Sequence, residues 1–323
     1  HNGTDKKYDG YCTDIFFGEA MKWIEKQSNN DKPFFCYLPT NTPHVPDICA
    51  DRYSKPYEGT YENGKPIPAK FYGMIANLDE NLGRLEAFLT EQDLRDNTLL
   101  IYMSDNGTQS TRAKEIFNAG MREKKTSVYE GGHRVPCFFR WPKGKLKHDS
   151  DVNELTQVQD LLPTMIELCG LKLNRSNKHE AQASGSDSTR QNTLAGASSL
   201  YSQQSFDGMS LAGLLTGAST ELRDRKLVIQ YRVSGEKWAA SVVLWDKWRL
   251  VGPGKLYNVA DDPHQDHNIA DQHPDVAQQM ETHYDEWHAE ARRLFDIPRW
   301  IKAGSLQQNP MMLYAQDLSL IHI

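Results

Sequence analysis

The apolar residues of this chain alternate between a period of three to four and short unbroken runs. Ile15, Phe16, Ala20, Met21 and Ile24 share one face of a helix that Thr13 or Asp14 can cap. Lys32-Pro33 then leads into Phe34-Phe35-Cys36-Tyr37-Leu38, a run expected of a strand buried on both faces. A loop rich in Pro, Gly and Tyr (39–68) follows. Phe71, Met74, Ile75, Leu78, Leu82, Leu85, Phe88 and Leu89 next recur at three and four, which predicts the clearest helix of the chain. Leu99 to Met103 and Val135 to Arg140 are predicted strands, and Leu155 to Leu168 a helix stopped by Gly170. Strands alternating with helices predict an α/β fold with a parallel, doubly wound sheet.

The pattern changes in residues 174–206, where Ser, Gln, Asn, Ala and Gly dominate with few apolar anchors. That composition predicts a surface insertion or linker. It sets a first domain at 1–173 apart from a second at 207–314. In the second, short antiparallel strands are expected at 226–232, 239–244 and 248–251, followed by an amphipathic helix from Pro274 to Phe295. The tail, 315–323, has no partner that the pattern supplies, and no internal repeat is visible.

The length of 323 residues suits about two domains. A formal net charge of −6 with no basic face argues against a nucleic-acid partner. No stretch approaches the ~20 apolar residues of a membrane span. Five scattered cysteines (Cys12, Cys36, Cys49, Cys137, Cys169) make neither a disulfide framework nor a zinc site. Cys36 and Cys137, inside apolar runs, are expected to be buried thiols. The first residues carry no initiator Met or apolar leader, so the chain is expected to begin within a longer protein.

The candidate chemistry lies between 102 and 134. The predicted strand ends on Ser104-Asp105-Asn106-Gly107, and ligands of open α/β sheets bind at the carboxyl ends of strands. Asp105 and Asn106 offer hard oxygens suited to Ca²⁺ or Mg²⁺. Asn-Gly is also a hairpin signal, but the polar run Thr108 to Lys114 lacks the alternation of a second strand. Downstream, Lys124-Lys125-Thr126-Ser127-Val128-Tyr129-Glu130-Gly131-Gly132-His133-Arg134 combines a cation with a Gly-rich turn, as an oxyanion site needs. Either lysine could serve. Arg134 is expected to be a structural ion-pair partner. Asp261, Asp262, His264, Asp266 and His267 sit in a Pro-containing loop without helical or strand spacing, which favours a solvated loop over a metal cluster.

Several of these segments together resemble the formylglycine-dependent sulfatases. They are Pro33 to Leu38 with Thr42-Pro43-His44-Val45-Pro46, Met74 to Gly83, Leu94 to Thr98, Ser104 to Gly107, Tyr129 to Pro136 and Lys255 to Pro263, in that order. The resemblance implies an alkaline phosphatase-like fold with a smaller C-terminal α+β subdomain. It also implies hydrolysis of sulfate esters. Asp105 and Asn106 would bind Ca²⁺, with Mg²⁺ the weaker candidate, and His44 and Lys125 would contact the sulfate as catalytic and substrate-binding groups. Cations aimed at the sulfuryl and leaving oxygens lower such a barrier electrostatically.

The chain departs from the family where the nucleophile belongs. No Cys or Ser stands in the Cys-x-Pro-x-Arg or Ser-x-Pro-x-Arg segment that carries formylglycine, and the N-terminal Asp-Asp metal ligands are absent. The resemblance thus implies a C-terminal portion whose formylglycine lies upstream, inactive as these 323 residues alone. A phosphonate or phosphate ester hydrolase of the same superfamily and a non-catalytic binder of sulfated glycans are the alternatives. A sulfated small molecule or carbohydrate is the implied ligand, and an extracellular, periplasmic or lysosomal location the implied setting.

Overall fold

The computed structural model describes residues 4–30, 32–171, 206–231, 236–295, 300–303 and 311–314. These form two compact units, 1–142 with 225–323 and 143–224. The division drawn from composition, at 173 and 206, differs from this one. The 174–206 segment, apart from Phe206, and the 315–323 tail lie outside the described residues.

In the first unit, α1 (Cys12–Ser28) packs on α2 (Ala69–Glu91). Thr13, Phe17, Ala20 and Ile24 form the buried stripe of α1. Phe16, expected there, is exposed instead. The cap also differs from expectation, because the helix begins at Cys12 and neither Thr13 nor Asp14 is its N-cap. Both lie inside the helix with other partners. Thr13 Oγ1 is 2.8 Å from Thr42 Oγ1, and the Asp14 carboxylate accepts from the amides of Asn77 and Asn81, each at 2.7 Å. Those asparagines are fully buried on the core face of α2, an arrangement tolerated because the carboxylate accepts from both of their NH2 groups. Phe17, Ile24, Leu78, Leu85 and Leu89 make the core beside them.

Two strand expectations are corrected here. Residues 33–40 form no strand; Phe34 and Leu38 reach the core while Phe35, Cys36 and Tyr37 are exposed. An apolar run shows that a segment can be buried but not which of its faces finds a partner. The strands β1 (Leu100–Met103) and β2 (Cys137–Arg140) pair antiparallel, Leu100 opposite Arg140 and Met103 opposite Cys137, rather than parallel. The residues between them form short helices and turns that return the chain alongside β1. The fold remains mixed α/β. Cys137 is exposed too, so neither it nor Cys36 is a buried thiol.

The same unit contains a four-stranded antiparallel sheet, β3 (Lys226–Gln230), β4 (Ser241–Trp245), β5 (Trp248–Val251) and β6 (Leu256–Asn258), in that spatial order. A two-residue turn at Asp246-Lys247 joins β4 to β5, with Asp246 in the left-handed region at φ +47°. The helix α6 (Pro274–Phe295) lays Ala277, Met280 and Tyr284 on Val243, Leu250 and Leu256. Full burial of such side chains is worth roughly 1.5–3 kcal/mol each.

The second unit centres on α5 (Leu161–Leu168), which Gly170 ends at φ +62°. Its buried Asp160 accepts from the backbone N–H groups of Gln157 at 2.8 Å and Met209 at 2.9 Å. A Cβ on Gly208 would lie 2.0 Å from the Gln159 carbonyl, so the 206–211 segment packs there only as glycine.

Candidate functional site

Three loops meet beyond the end of β1. The first begins with a continuation of the ladder, where Ser104 N donates to Pro136 O at 3.3 Å. The chain then turns through Asp105 and Asn106, with Ser104 Oγ donating to Asn106 O at 3.0 Å. Gly107 N donates to Gly132 O at 3.0 Å, and a Cβ on Gly107 would stand 1.8 Å from Gly131 O. No other residue allows that approach. No hairpin forms here. Ser110 Oγ accepts from Ala113 N at 3.1 Å and caps α3 (Thr111–Ile116).

The second loop holds Lys124 and Lys125 against the first. Lys125 N donates to Thr108 O at 3.0 Å and Lys124 Nζ to Gln109 O at 3.3 Å. The two lysines, equal in sequence, therefore differ in the fold. The Lys124 ammonium is engaged by a carbonyl, whereas the Lys125 ammonium bonds to none of the described residues. Glu123 and Thr126, on either side, take φ +63° and +75°. For a β-branched threonine this is an outlier that the surroundings must enforce.

The third loop carries His44. Gln109 Nε2 donates to Pro43 O at 3.4 Å, tying this loop to the first. His44 N donates to Asn41 O at 2.8 Å, and its Nδ1 lies 2.9 Å from Val45 O. A carbonyl only accepts, so Nδ1 carries the proton and Nε2 is left for another partner. The peptides before Pro43 and Pro46 are both cis.

The short helix α4 (Glu130–His133) lies under the second loop, where the sequence suggested a Gly-rich turn, and its buried ion pair was not foreseen. Glu130 is buried, and its Oε1 accepts from Arg249 Nε of β5 at 2.7 Å. Arg134 Nη1 adds a longer contact at 3.4 Å, the ion pair expected of it. Burial alone would raise the Glu130 pKa, but the charges of Arg249, His133 and Arg134 hold it below the ordinary carboxylate value. Burial pushes the neighbouring His133 below its ordinary 6.5 despite the Glu130 carboxylate at 3.8 Å. Glu130 N donates to the fully buried Gln265 side chain at 3.0 Å, and the Gln265 carbonyl accepts from Arg122 Nη1 at 2.7 Å. Glu130 and Arg249 are far apart in sequence, so no local spacing reveals them.

Asp105 is exposed and Asn106 half-buried, and no described group bonds to either side chain. Their donor chemistry suits a hard cation. Two residues supply only part of the ~6–8 oxygens that Ca²⁺ takes. Among the described residues no three His, Cys, Asp or Glu side chains converge as a metal site. The 261–267 loop spends its groups internally: Asp262 accepts from His267 N at 2.9 Å, and His264 Nδ1 lies 2.8 Å from Asp266 Oδ1.

Comparison with known proteins gives a family and a fold. The Sulfatase family model matches residues 2–171. The N-acetylgalactosamine-6-O-sulfatase of Bacteroides thetaiotaomicron is 27% identical over 286 residues, which is 84% of this chain and 50% of that protein. The crystal structure of Ps i-CgsB superposes with a TM-score of 0.70 at 23% identity, covering 89% of this chain and 57% of that one. The phosphonate monoester hydrolase of Agrobacterium radiobacter does so with a TM-score of 0.58 at 19% identity, covering 87% and 60%. The chain spans half the length, or less, of the curated relatives it matches.

Proposed function

Because the chain belongs to the sulfatase family, we propose that it contributes the oxyanion-binding and part of the cation-binding side of a site that hydrolyses sulfate esters. The carrying observation is the juxtaposition at the end of β1: the hydrogen bonds Gly107 to Gly132, Lys125 to Thr108 and Gln109 to Pro43 tie together the loops of Asp105, Lys125 and His44. In this reading the Lys125 ammonium, a point charge without another partner among the described residues, meets a sulfuryl oxygen. The His44 ring, held by Val45 O through Nδ1, presents Nε2 to a second. Asp105 and Asn106 would contribute ligands to a Ca²⁺ ion, which when bound supplies positive charge beside the same oxygens.

The nucleophile is not among these residues, since no Cys or Ser here lies in a Cys-x-Pro-x-Arg or Ser-x-Pro-x-Arg segment. A formylglycine from outside these 323 residues completes the reaction in this proposal. The relative from Bacteroides thetaiotaomicron is named for a sulfated sugar, which supports a sulfated carbohydrate as the substrate class. The test is turnover of an aryl sulfate against phenylphosphonate by protein carrying the formylglycine segment. Preference for the sulfate supports the reading. Preference for the phosphonate replaces it with a hydrolase of the Agrobacterium type. Neither turnover nor binding of the phosphonate, with sulfated glycan still bound, leaves a non-catalytic binder.

A further inference from the structure

The Lys125 loop has a backbone that it would not adopt alone, with Glu123 and Thr126 in the left-handed region. What holds it is α4. Gly131 N donates to Arg122 O at 2.9 Å, and Cβ atoms on Gly131 and Gly132 would fall 2.2 Å from Glu123 O and 2.0 Å from Ser127 O. The loop is thus seated on both glycines, from Arg122 on one side of Lys125 to Ser127 on the other. Besides the Gly107 N–H on the Gly132 carbonyl, the helix is fixed in turn through Glu130. Its carboxylate is gripped by Arg249 of β5 at 2.7 Å and its N–H by Gln265 at 3.0 Å. The Gln265 carbonyl closes the circuit by accepting from Arg122 at 2.7 Å, while the Arg122 guanidinium stacks 4.1 Å over Tyr129. Gln265 is fully buried and itself takes φ +58°, a second enforced conformation in the same circuit.

We infer that Glu130, locked by Arg249 and Gln265, is a positioning residue for Lys125, through which the C-terminal four-stranded sheet sets the affinity of the oxyanion site. Neither residue touches the oxyanion; both act through the backbone of 122–127. The inference rests on the reading of Lys125 as an oxyanion ligand.

The test is calorimetric titration of inorganic sulfate into the full chain and four variants: Lys125→Ala, Glu130→Gln, the two combined, and Arg249→Lys. Melting temperatures are recorded in parallel. Glu130→Gln keeps the side-chain volume and is expected to weaken sulfate binding about tenfold or more, the scale of one charge-assisted hydrogen bond. In the Lys125→Ala background it should add no further loss, since a residue acting through Lys125 cannot act without it. Arg249→Lys keeps the charge but loses the guanidinium's fixed bonds to Glu130 and to the Asp246 and Trp248 carbonyls, so it should weaken binding by less than Glu130→Gln but measurably. If Glu130→Gln does not fold, parent-like binding by Arg249→Lys overturns the inference. Glu130→Gln binding as the parent does, or weakening binding equally with and without Lys125, overturns the inference while the oxyanion reading stands. A parent chain that does not bind sulfate, or a Lys125→Ala variant that binds as well as the parent, fails the oxyanion reading itself, and the inference falls with it.

Discussion

The loop of Lys125 and the segment of His44 carry the two proposed oxyanion ligands, yet they are held by opposite means. Residues 122–134 sit on glycines with no room for a Cβ, on a buried carboxylate–guanidinium pair and on a fully buried glutamine. Residues 34–46 expose Phe35 and Tyr37 and are anchored by a few hydrogen bonds, Thr42 to Thr13 and Pro43 to Gln109 among them. One half of the site is over-determined by its interior, whereas the other seats only Phe34 and Leu38 on the helical core and otherwise rests on hydrogen bonds to α1 and to the first loop. The stability of the fold is therefore tied to the lysine half far more than to the histidine half.

Breaking the interior of the lysine half should have the largest effect. Arg249→Met strands the buried Glu130 carboxylate and should cost about 3–5 kcal/mol in urea unfolding, whereas Arg249→Met combined with Glu130→Gln should recover much of it. Equal losses in the single and double variants would show that the pair is not what holds this region. Gly132→Ala brings a methyl group 2.0 Å from the Ser127 carbonyl, and about 1–3 kcal/mol of overpacking is expected by the same measurement. A comparable loss, roughly 1.5–3 kcal/mol, should follow Asn81→Ala in the helical core, where an amide at 2.7 Å from the Asp14 carboxylate is removed.

A pH titration of stability sharpens the comparison further. Both Glu130 and His133 have folded-state pKa values below their ordinary ones, so each contributes fully at higher pH and loses its contribution as pH falls. The His133 loss starts on descending through its ordinary 6.5, because the unfolded chain takes up the proton first. The Glu130 loss follows below its ordinary 4.5. The groups facing them are Arg249, Arg134 and each other. His133→Asn should flatten the upper window and leave the lower one, as read from melting temperatures across the range. At the other extreme, Phe35→Ser should change stability by no more than about 0.5 kcal/mol, since that ring is 70% exposed. A loss of several kcal/mol there would mean that the histidine half is as deeply anchored as the lysine half.

The same contrast explains what the sequence could show. The long helices were legible because burial imposes a period of three to four, as with Phe71, Met74, Leu78, Leu85 and Leu89. Asn77 and Asn81 sit on that same stripe and could have been recognised as core polar groups in need of a partner. Asp14 as the partner could not, being 63 and 67 residues away. The Ser-Asp-Asn-Gly and Tyr-Glu-Gly-Gly segments stood out by their glycines, and the fold brings the two together where a Cβ on Gly107 would stand 1.8 Å from Gly131 O. Glu130, within the second, was given no role, because the guanidinium it pairs with lies 119 residues downstream on β5. The run 34–38 misled because hydrophobicity reports a capacity for burial, and only Phe34 and Leu38 use it among the described residues. In the choice between Lys124 and Lys125, residue chemistry alone left the two equal and only the resemblance pointed to Lys125. What distinguishes them in the fold is a single carbonyl, that of Gln109, which engages Lys124.

That choice is the most direct test of the whole account. The chain is reductively methylated with ¹³C, which keeps the lysine charges, and the methyl signals of Lys124 and Lys125 are assigned through their arginine variants. Inorganic sulfate is then titrated. The account predicts a saturable shift of the Lys125 signal while the Lys124 signal, tied to Gln109, stays in place. A shift of Lys124 alone, or of neither lysine, would contradict it.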